Sequence, residues 1–218
     1  MRRFKFARRL FLALPAVTIF ASHPCFGLGW ESIGPYGGHA QRLVIHPNNP
    51  KHLYVTTKNG KIYRTLDAGE RWEALPFGLS PDASLNALAL NPARPSVLYA
   101  GVAQNSATFV APGEAGIYKS EDDGLHWSRL QPTKGWSVLS LTVYSAQSEF
   151  VLAGTEEGVF QSDDAGATWR QISPVNHPEL KAVVSLAVDP TDPRVIYAGT
   201  PHLPWKTMDG GTVWESIR

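Results

Sequence analysis

The sequence predicts an all-β protein built as a β-propeller, and three observations support this. An eight-residue pattern (hydroxyl residue, any, Asp, any, Gly, any two, Trp) occurs four times. Its Asp positions are 55, 42 and 45 residues apart, close to the length of one propeller blade. No stretch shows sustained helical periodicity. In chain order, the shared residues are Thr65, Asp67, Gly69 and Trp72; Ser120, Asp122, Gly124 and Trp127; Ser162, Asp164, Gly166 and Trp169; and Thr207, Asp209, Gly211 and Trp214.

The first 27 residues are predicted to be a cleaved export signal. A basic segment precedes an apolar run from Leu10 to Ala21, and Cys25 and Gly27 supply small residues for a signal peptidase site. The apolar run contains Pro15 and is shorter than the roughly 20 residues of a membrane span. An N-terminal anchor helix is the alternative. The expected mature chain, residues 28–218, is therefore periplasmic or secreted and has no membrane span.

Charge and cysteine content exclude several functions from the expected mature chain. The signal holds five of the 20 basic residues, which leaves 15 against 19 acidic residues, a net charge of −4. No nucleic-acid partner is expected, because such a partner requires a basic surface. The single cysteine, Cys25, lies in the signal, so the mature chain has neither disulfides nor thiol chemistry. Arg8 and Arg9 also fit a twin-arginine signal, so the export route stays open.

Each repeat is predicted to contain four short antiparallel strands. The first ends in a turn with proline, as in Val44–Pro50, and the second ends in small residues that indicate close neighbouring backbones. The third and fourth form a hairpin with the octet at its tip. The third unit lacks the proline turn at Tyr144–Ser148, and the second carries an insertion, Val102–Gly116. The last unit has its own fourth strand, Thr212–Ile217, and Trp30–Ile33 resembles a spare copy of it.

The octet is predicted to be a structural turn. Its carboxylate and hydroxyl can bond turn amides, its Gly permits a positive φ, and its Trp fills the wedge between sheets. The pairs Asp122-Asp123 and Asp163-Asp164 could bind a metal ion. However, two copies keep a single carboxylate, whereas calcium takes six to eight oxygens. Neither a metal ion nor a cofactor is expected.

These motifs resemble the Asp-box, or BNR-repeat, β-propellers over about residues 30–218. That family includes sialidases, xyloglucanase-type glycoside hydrolases, sortilin-type receptors and photosystem II assembly factors, and the unit pattern is most similar to the last three. The resemblance implies that the boxes lie away from the ligand face and catalyse nothing. No sialidase-like Arg-Ile-Pro segment follows the signal. Thr57-Lys58-Asn59-Gly60-Lys61 stands where a xyloglucanase-like Thr-Asp-x-Gly-Gly stretch is expected.

Four units are fewer than such enzymes and receptors usually carry. Three arrangements stay open: a closed four-bladed ring with Trp30–Ile33 as a spare strand, an open arc, and a chain truncated relative to longer relatives. Uncovered strand edges invite pairing with a second copy. We therefore expect truncation or self-association rather than a closed monomer.

Candidate binding residues lie in the loops away from the octets. Glu156 and Glu157 could act as acid and base, but adjacent turn residues tend to diverge, whereas glycoside hydrolysis needs carboxyl groups about 5–9 Å apart. Trp205 is expected in the core, and Trp136 could either bind a ligand or pack between blades. No catalytic residue is predicted. The candidate binding residues are Tyr36, His39, Trp136, Glu156, Glu157, His177 and His202.

The predicted function is non-catalytic. We expect an exported propeller module that binds a protein or glycan partner or serves as an assembly scaffold. The alternative is a degenerate or truncated glycoside hydrolase of the xyloglucanase or sialidase kind. A third hypothesis is an inert remnant of a longer gene.

Overall fold

The computed structural model describes residues 32–35, 39–80, 83–104, 113–144 and 149–217. The predicted export signal, Tyr36 and most of the insertion in the second unit lie outside the described residues. The described strands all belong to one unit, Ile33–Arg218. None of the described residues lies in a helix with the length and apolar character needed to cross a bilayer.

In the part of the chain that the structure describes, sixteen strands form four separate antiparallel sheets of four strands, each in sequential order, which confirms the predicted blades. Blade 1 has β1 (Ala40–His46), β2 (Asn49–Thr57), β3 (Ile62–Thr65) and β4 (Glu73–Ala74). Blade 2 has β5 (Ser84–Leu90), β6 (Leu98–Ala103), β7 (Gly116–Ser120) and β8 (Ser128–Arg129). Blade 3 has β9 (Val138–Val143), β10 (Val151–Thr155), β11 (Gly158–Ser162) and β12 (Arg170–Gln171). Blade 4 has β13 (Ser185–Val188), β14 (Ile196–Gly199), β15 (Pro204–Thr207) and β16 (Glu215–Ser216).

Three predicted boundaries need correction. The fourth strand of the last unit is Glu215–Ser216, shorter than the predicted Thr212–Ile217, because the octet turn extends up to its Trp. The predicted insertion is also shorter, since Val102 and Ala103 belong to β6 and Gly116 begins β7. The described part of the predicted spare strand, residues 32–33, is not paired into a sheet.

Small residues in the second strands allow the first strand of the next blade to approach, as predicted. A Cβ on Gly101 in β6 would lie 2.6 Å from Cγ1 of Val138, where β9 begins. A Cβ on Gly154 in β10 would lie 2.5 Å from the carbonyl oxygen of Val183, just before β13. Close packing of successive blades therefore requires the absence of a side chain at these positions.

The hydrophobic core lies between successive blades. One apolar cluster joins blades 1 and 2, a second joins blades 2 and 3, and a third joins blades 3 and 4. Tyr54, Tyr99 and Leu152, which occupy equivalent positions in β2, β6 and β10, are completely buried. Complete burial of such a side chain contributes about 1.5–3 kcal/mol. The interfaces between blades therefore supply most of the apolar burial.

The outer surfaces of the two terminal blades are uncovered. We call the surface that a blade turns towards the next blade its front face, and the opposite surface its back face. On the back face of blade 1, Leu43 and Ile45 are 60% and 54% exposed. Leu88 and Leu90, at the same positions in blade 2, are 6% and 8% exposed. Within the described residues, the blades thus form an open arc rather than a ring with every face covered.

Candidate functional site

The four octets fold into the same hydrogen-bonded turn at one end of the blades, which we call the box end. In each turn, the hydroxyl of the first residue donates to the Asp carboxylate and accepts the amide hydrogen of the Gly. The hydroxyl-to-carboxylate distances are 2.8 Å for Thr65–Asp67, 2.9 Å for Ser120–Asp122, 2.8 Å for Ser162–Asp164 and 2.8 Å for Thr207–Asp209. The amide-to-hydroxyl distances are 2.9 Å for Gly69, 2.9 Å for Gly124, 2.8 Å for Gly166 and 2.9 Å for Gly211.

Each turn is also tied to the β-turn between the first two strands of its own blade. The residue after the Asp has a positive φ, for example 64° at Ala68 and 57° at Ala165. Its amide donates to a carbonyl in that turn or early in the second strand, as from Ala165 to Glu149 at 2.8 Å and from Ala68 to Lys51 at 2.9 Å. Each octet turn is thus hydrogen-bonded both within itself and to another part of its own blade.

Hydrogen bonds lower the pKa of the octet carboxyl groups. The side chain and amide of His126 lower the pKa of Asp122 to about 2, and those of Thr168 do the same to Asp164. Backbone amides, of Arg71 and Val213 respectively, lower the pKa of Asp67 and Asp209. A carboxyl group that donates a proton to a glycosidic oxygen needs a raised pKa. These carboxylates are thus suited to accepting hydrogen bonds within the turn.

The octet glycines also receive an apolar residue from the segment that precedes them in the blade series. A Cβ on Gly124 would lie 2.7 Å from Cδ1 of Leu75, and one on Gly166 would lie 2.5 Å from Cδ1 of Leu130. Leu75 and Leu130 each follow the octet Trp of the preceding blade by three residues. Each blade therefore seats one apolar side chain on the box of the next. The full set of pairs is Ile33 on Gly69, Leu75 on Gly124, Leu130 on Gly166 and Ile172 on Gly211.

The other end of the blades carries the turns between the second and third strands of each blade and the connections from one blade to the next. We call it the loop end. Here the Lys58 amide donates to the His39 carbonyl at 2.9 Å, and the Glu156 amide donates to Ser137 at 3.2 Å. Among the predicted binding residues, His39, Glu156, Glu157 and His202 are exposed at this end. The structure therefore places these four together at one end, opposite the boxes.

Two other predicted binding residues lie in the interfaces between blades. The Trp136 ring packs on Phe160, with a centroid distance of 4.3 Å, and lies edge-on to Trp169 at 5.8 Å. His177 packs edge-on against the buried Trp205, as expected for a core tryptophan, at 5.0 Å. The His177 ring also accepts the amide hydrogen of Leu180 at 2.8 Å.

Sequence reasoning missed a third residue of this kind. Phe77 lies in the connection between blades 1 and 2 and packs edge-on against Tyr118 and Trp127, with centroid distances of 5.3 and 5.0 Å. Phe77, Trp136 and His177 thus occupy corresponding places in the three interfaces. An aromatic residue or histidine in each connection was the available signal.

A polar groove of about 410 Å³ between blades 3 and 4 was also missed, because separate segments build it. It opens at the box end, and its charged side chains have partners: Arg170 lies 3.9 Å from Asp163, and Arg194 lies 2.8 Å from Asp192. No group of three or more His, Cys, Asp or Glu side chains within the described residues could hold a metal ion. The lining residues include Phe150, Gln161, Asp163, Arg170, Arg194 and Asp209.

Comparisons with known proteins agree with the propeller fold. The Sortilin-Vps10 family model (Sortilin, neurotensin receptor 3) matches residues 19–132, which is more than half of the chain. A xyloglucanase of Hypocrea jecorina (strain QM6a) is 27% identical over 213 residues, which cover 94% of this chain and 21% of the relative. A probable oligoxyloglucan-reducing end-specific xyloglucanase of Neosartorya fischeri is 27% identical over 136 residues, 59% of this chain and 15% of the relative. The chain thus spans about a fifth or less of the length of these relatives.

Solved structures confirm the fold and the predicted resemblance to Asp-box propellers. The GH74 enzyme of Niastella koreensis superposes with a TM-score of 0.66 at 22% identity, over 84% of this chain and 30% of that enzyme. YCF48 from Cyanidioschyzon merolae superposes with a TM-score of 0.62 at 16% identity, over 84% of this chain and 57% of that protein. At these identities the likeness concerns the fold alone.

Proposed function

The chain belongs to the Sortilin-Vps10 family, and from this premise we propose that it is an exported, non-catalytic module whose loop end binds a protein or glycan partner. Export is supported by the sequence pattern of residues 1–27. In this proposal, the four boxes stabilise the blades, and the loop end is the surface that binds the partner.

The observation that carries this proposal is the separation of the octet carboxylates from the exposed loop-end groups. Asp122 and Asp164 accept bonds from their own turns, and the pKa of each is lowered to about 2. Glu156 and Glu157 lie at the opposite end, side by side and exposed on one turn. Paired carboxylates that flank a sugar would have to converge from two sides. This geometry supports binding rather than bond cleavage.

The described side chains favour a protein partner over a glycan. Sugar rings are usually held against exposed aromatic faces, but the Trp136 ring is packed between blades, against Phe160. The exposed groups at the loop end include charged and imidazole side chains, among them Lys58, Glu156 and His202. Such groups suit a polar protein segment, to which rim charges give specificity.

Site-specific photo-crosslinking tests the proposal. A photoreactive residue is introduced at His202, on the loop end of blade 4, or at Met208, on the box end of the same blade, in cells that produce the protein. Both positions are exposed. We expect a discrete crosslinked partner from position 202 and none from position 208. A partner captured from position 208 alone would contradict binding through the loop end.

The second candidate function is glycoside hydrolysis, and the xyloglucanase of Hypocrea jecorina, which aligns over 94% of this chain, favours it. The test is release of reducing ends from xyloglucan by the purified chain, compared with a Glu156→Gln/Glu157→Gln double variant. We expect the two proteins to release equal background amounts. Turnover by the unsubstituted chain that the double variant lacks would establish the enzyme instead.

A further inference from the structure

We propose that the front face of blade 4 docks on the back face of blade 1 of a second copy of this chain. The reason is that both faces carry the residues that form the internal blade interfaces, and both are uncovered. In this contact Ile217 of one copy would replace Ile33 of the other copy on Gly69. The occupant is thus a blade of the same repeat, joined head to tail.

The residues on the front face of blade 4 hold the same positions as those on the other front faces, but they are more exposed. Tyr197 in β14 corresponds by register to Tyr54 and Tyr99, yet it is 38% exposed, whereas both of those are completely buried. Ile217 follows its octet Trp by three residues, as Ile172 does, but it is 44% exposed against 4%. Within the described residues, blade 4 therefore presents an interface surface that no other blade covers.

A tyrosine hydroxyl donates a hydrogen bond to the next blade in two of the three covered interfaces. The Tyr54 hydroxyl donates to Oδ1 of Asp123 at 3.3 Å, and the Tyr99 hydroxyl donates to the carbonyl oxygen of Ala165 at 3.2 Å. Asp123 and Ala165 both follow the octet Asp of the next blade. Ala68 holds this position in blade 1. In the proposed contact, the Tyr197 hydroxyl would donate to the turn at Ala68 of the second copy.

The back face of blade 1 is a receiving surface that is partly filled by its own chain. Leu43 and Ile45 are open to solvent, whereas Ile33 sits on Gly69 with its Cδ1 2.6 Å from a Cβ added there. The Trp72 indole donates to the Ile33 carbonyl oxygen at 2.8 Å, as Trp214 donates to Ile172 at 2.9 Å. Ile33 thus occupies the place that a preceding blade would fill. It is 52% exposed and so is available for displacement.

Reciprocal contact between two copies would cover both open faces of each chain. The eight blades of such a pair fall within the range of four to eight blades known for propellers. The Arg42 guanidinium donates to the Val184 carbonyl oxygen at 3.4 Å, a link between blades 1 and 4. This long hydrogen bond on an exposed side chain would have to open before the second copy enters.

Light scattering coupled to size exclusion, applied to the full chain over a concentration series, tests the proposal. We expect a reversible dimer. Shortening the competing side chain in Ile33→Ala is expected to lower the dissociation constant about tenfold, because Ile217 of the second copy then competes with less apolar contact. A chain that stays monomeric in both forms would overturn the proposal.

Charge substitutions locate the contact. Ile217→Asp on the front face and Leu43→Asp on the back face are each expected to yield monomers. Val175→Asp is the control, because Val175 is an apolar side chain that is 71% exposed in the connection between blades 3 and 4. Association that survives Ile217→Asp, or that Val175→Asp also abolishes, would overturn the assigned faces. Circular dichroism and thermal unfolding confirm that each variant is folded.

Mixing the two monomeric variants gives the sharpest result. A head-to-tail contact leaves one intact interface between the unsubstituted front face of Leu43→Asp and the unsubstituted back face of Ile217→Asp. We therefore expect a heterodimer on mixing. Two folded variants that stay monomeric when mixed would show that the faces do not meet head to tail, and would overturn the proposal.

Discussion

The box end and the loop end of the blades are built differently. All four octets make the same hydroxyl, carboxylate and glycine bonds, with distances that agree within about 0.1 Å. At the loop end the turns differ from blade to blade, from Thr57–Lys61 in blade 1 to Glu156-Glu157 in blade 3. A repeated bond pattern stabilises every blade in the same way, whereas varied turns change the surface of the loop end without changing the packing of the blades. Substitutions at the two ends should therefore have unequal effects on stability.

Replacing an octet glycine should have the largest effect. Gly166→Ala places a Cβ at a φ of 95° and 2.5 Å from Leu130, so we expect a loss of about 2–4 kcal/mol in the free energy of unfolding. Urea denaturation followed by circular dichroism measures it. Gly78→Ala is the matched control, since no atom lies within 4 Å of an added Cβ there. Equal losses in both variants would mean that the box end does not hold the blades.

Removing an octet hydroxyl should have the next largest effect. Ser162→Ala leaves the buried Gly166 amide, now bonded to the Ser162 hydroxyl at 2.8 Å, without a partner. An unsatisfied buried amide costs about 1–3 kcal/mol. Ser128→Ala, on the exposed surface of β8, should change the free energy of unfolding by less than about 0.5 kcal/mol. A loss in Ser162→Ala no larger than this control would contradict the assigned bond.

Acid should weaken the box end through its carboxylates. The pKa of Asp164 is about 2 in the folded chain, below its ordinary value of 3.8, so the unfolded chain binds more protons between these values. Stability is thus fully present above about pH 4 and is lost as the pH falls towards 2. We expect Asp164→Asn to reduce this dependence in urea midpoints measured from pH 6 to pH 2.5.

Asp163→Asn provides the control for that pH series. It removes the neighbouring carboxylate, which accepts from the Gln161 side chain, and leaves the Asp164 bonds to the turn in place. An unchanged pH dependence in Asp164→Asn, with a reduced one in Asp163→Asn, would contradict the assignment of the acid sensitivity to the octet carboxylate.

The loop end should show the smallest effect. Glu156→Gln/Glu157→Gln keeps the backbone bonds of the turn and changes only exposed side chains. We expect the free energy of unfolding to change by less than about 0.5 kcal/mol. A thermal midpoint that drops as far as that of Gly166→Ala would mean that this turn stabilises the fold.

Repetition explains how much of the fold was predictable. The spacing of the octets and the small residues at Gly101 and Gly154 predict the four blades and their close approach, because each feature is local in the sequence. The length of β16 was not predictable, because the octet turn includes Thr212 to Trp214, which the sequence pattern assigns to the strand. The open faces of blades 1 and 4 were one of three alternatives, because the curvature of a series of blades depends on packing between them.

The candidate site was less predictable than the fold. The direction of the strands alone determines at which end of the blades a turn lies. This places His39, Glu156, Glu157 and His202 at the loop end. Trp136 instead packs on Phe160 between blades, which depends on how the connection packs against the blade that follows it. The indole partners also differ. Trp127 and Trp169 donate to their own octet glycines, whereas Trp72 and Trp214 donate to Ile33 and Ile172.

Amide hydrogen exchange measured residue by residue tests most directly whether the box end is the stable support of the blades. We expect the Gly124 and Gly166 amides, which are bonded to the Ser120 and Ser162 hydroxyls, to exchange as slowly as amides in the middle of β6 and β10. We expect much faster exchange in the Glu156-Glu157 turn. Box amides that exchange as fast as that turn would show that the box end is not the stable part of the blades.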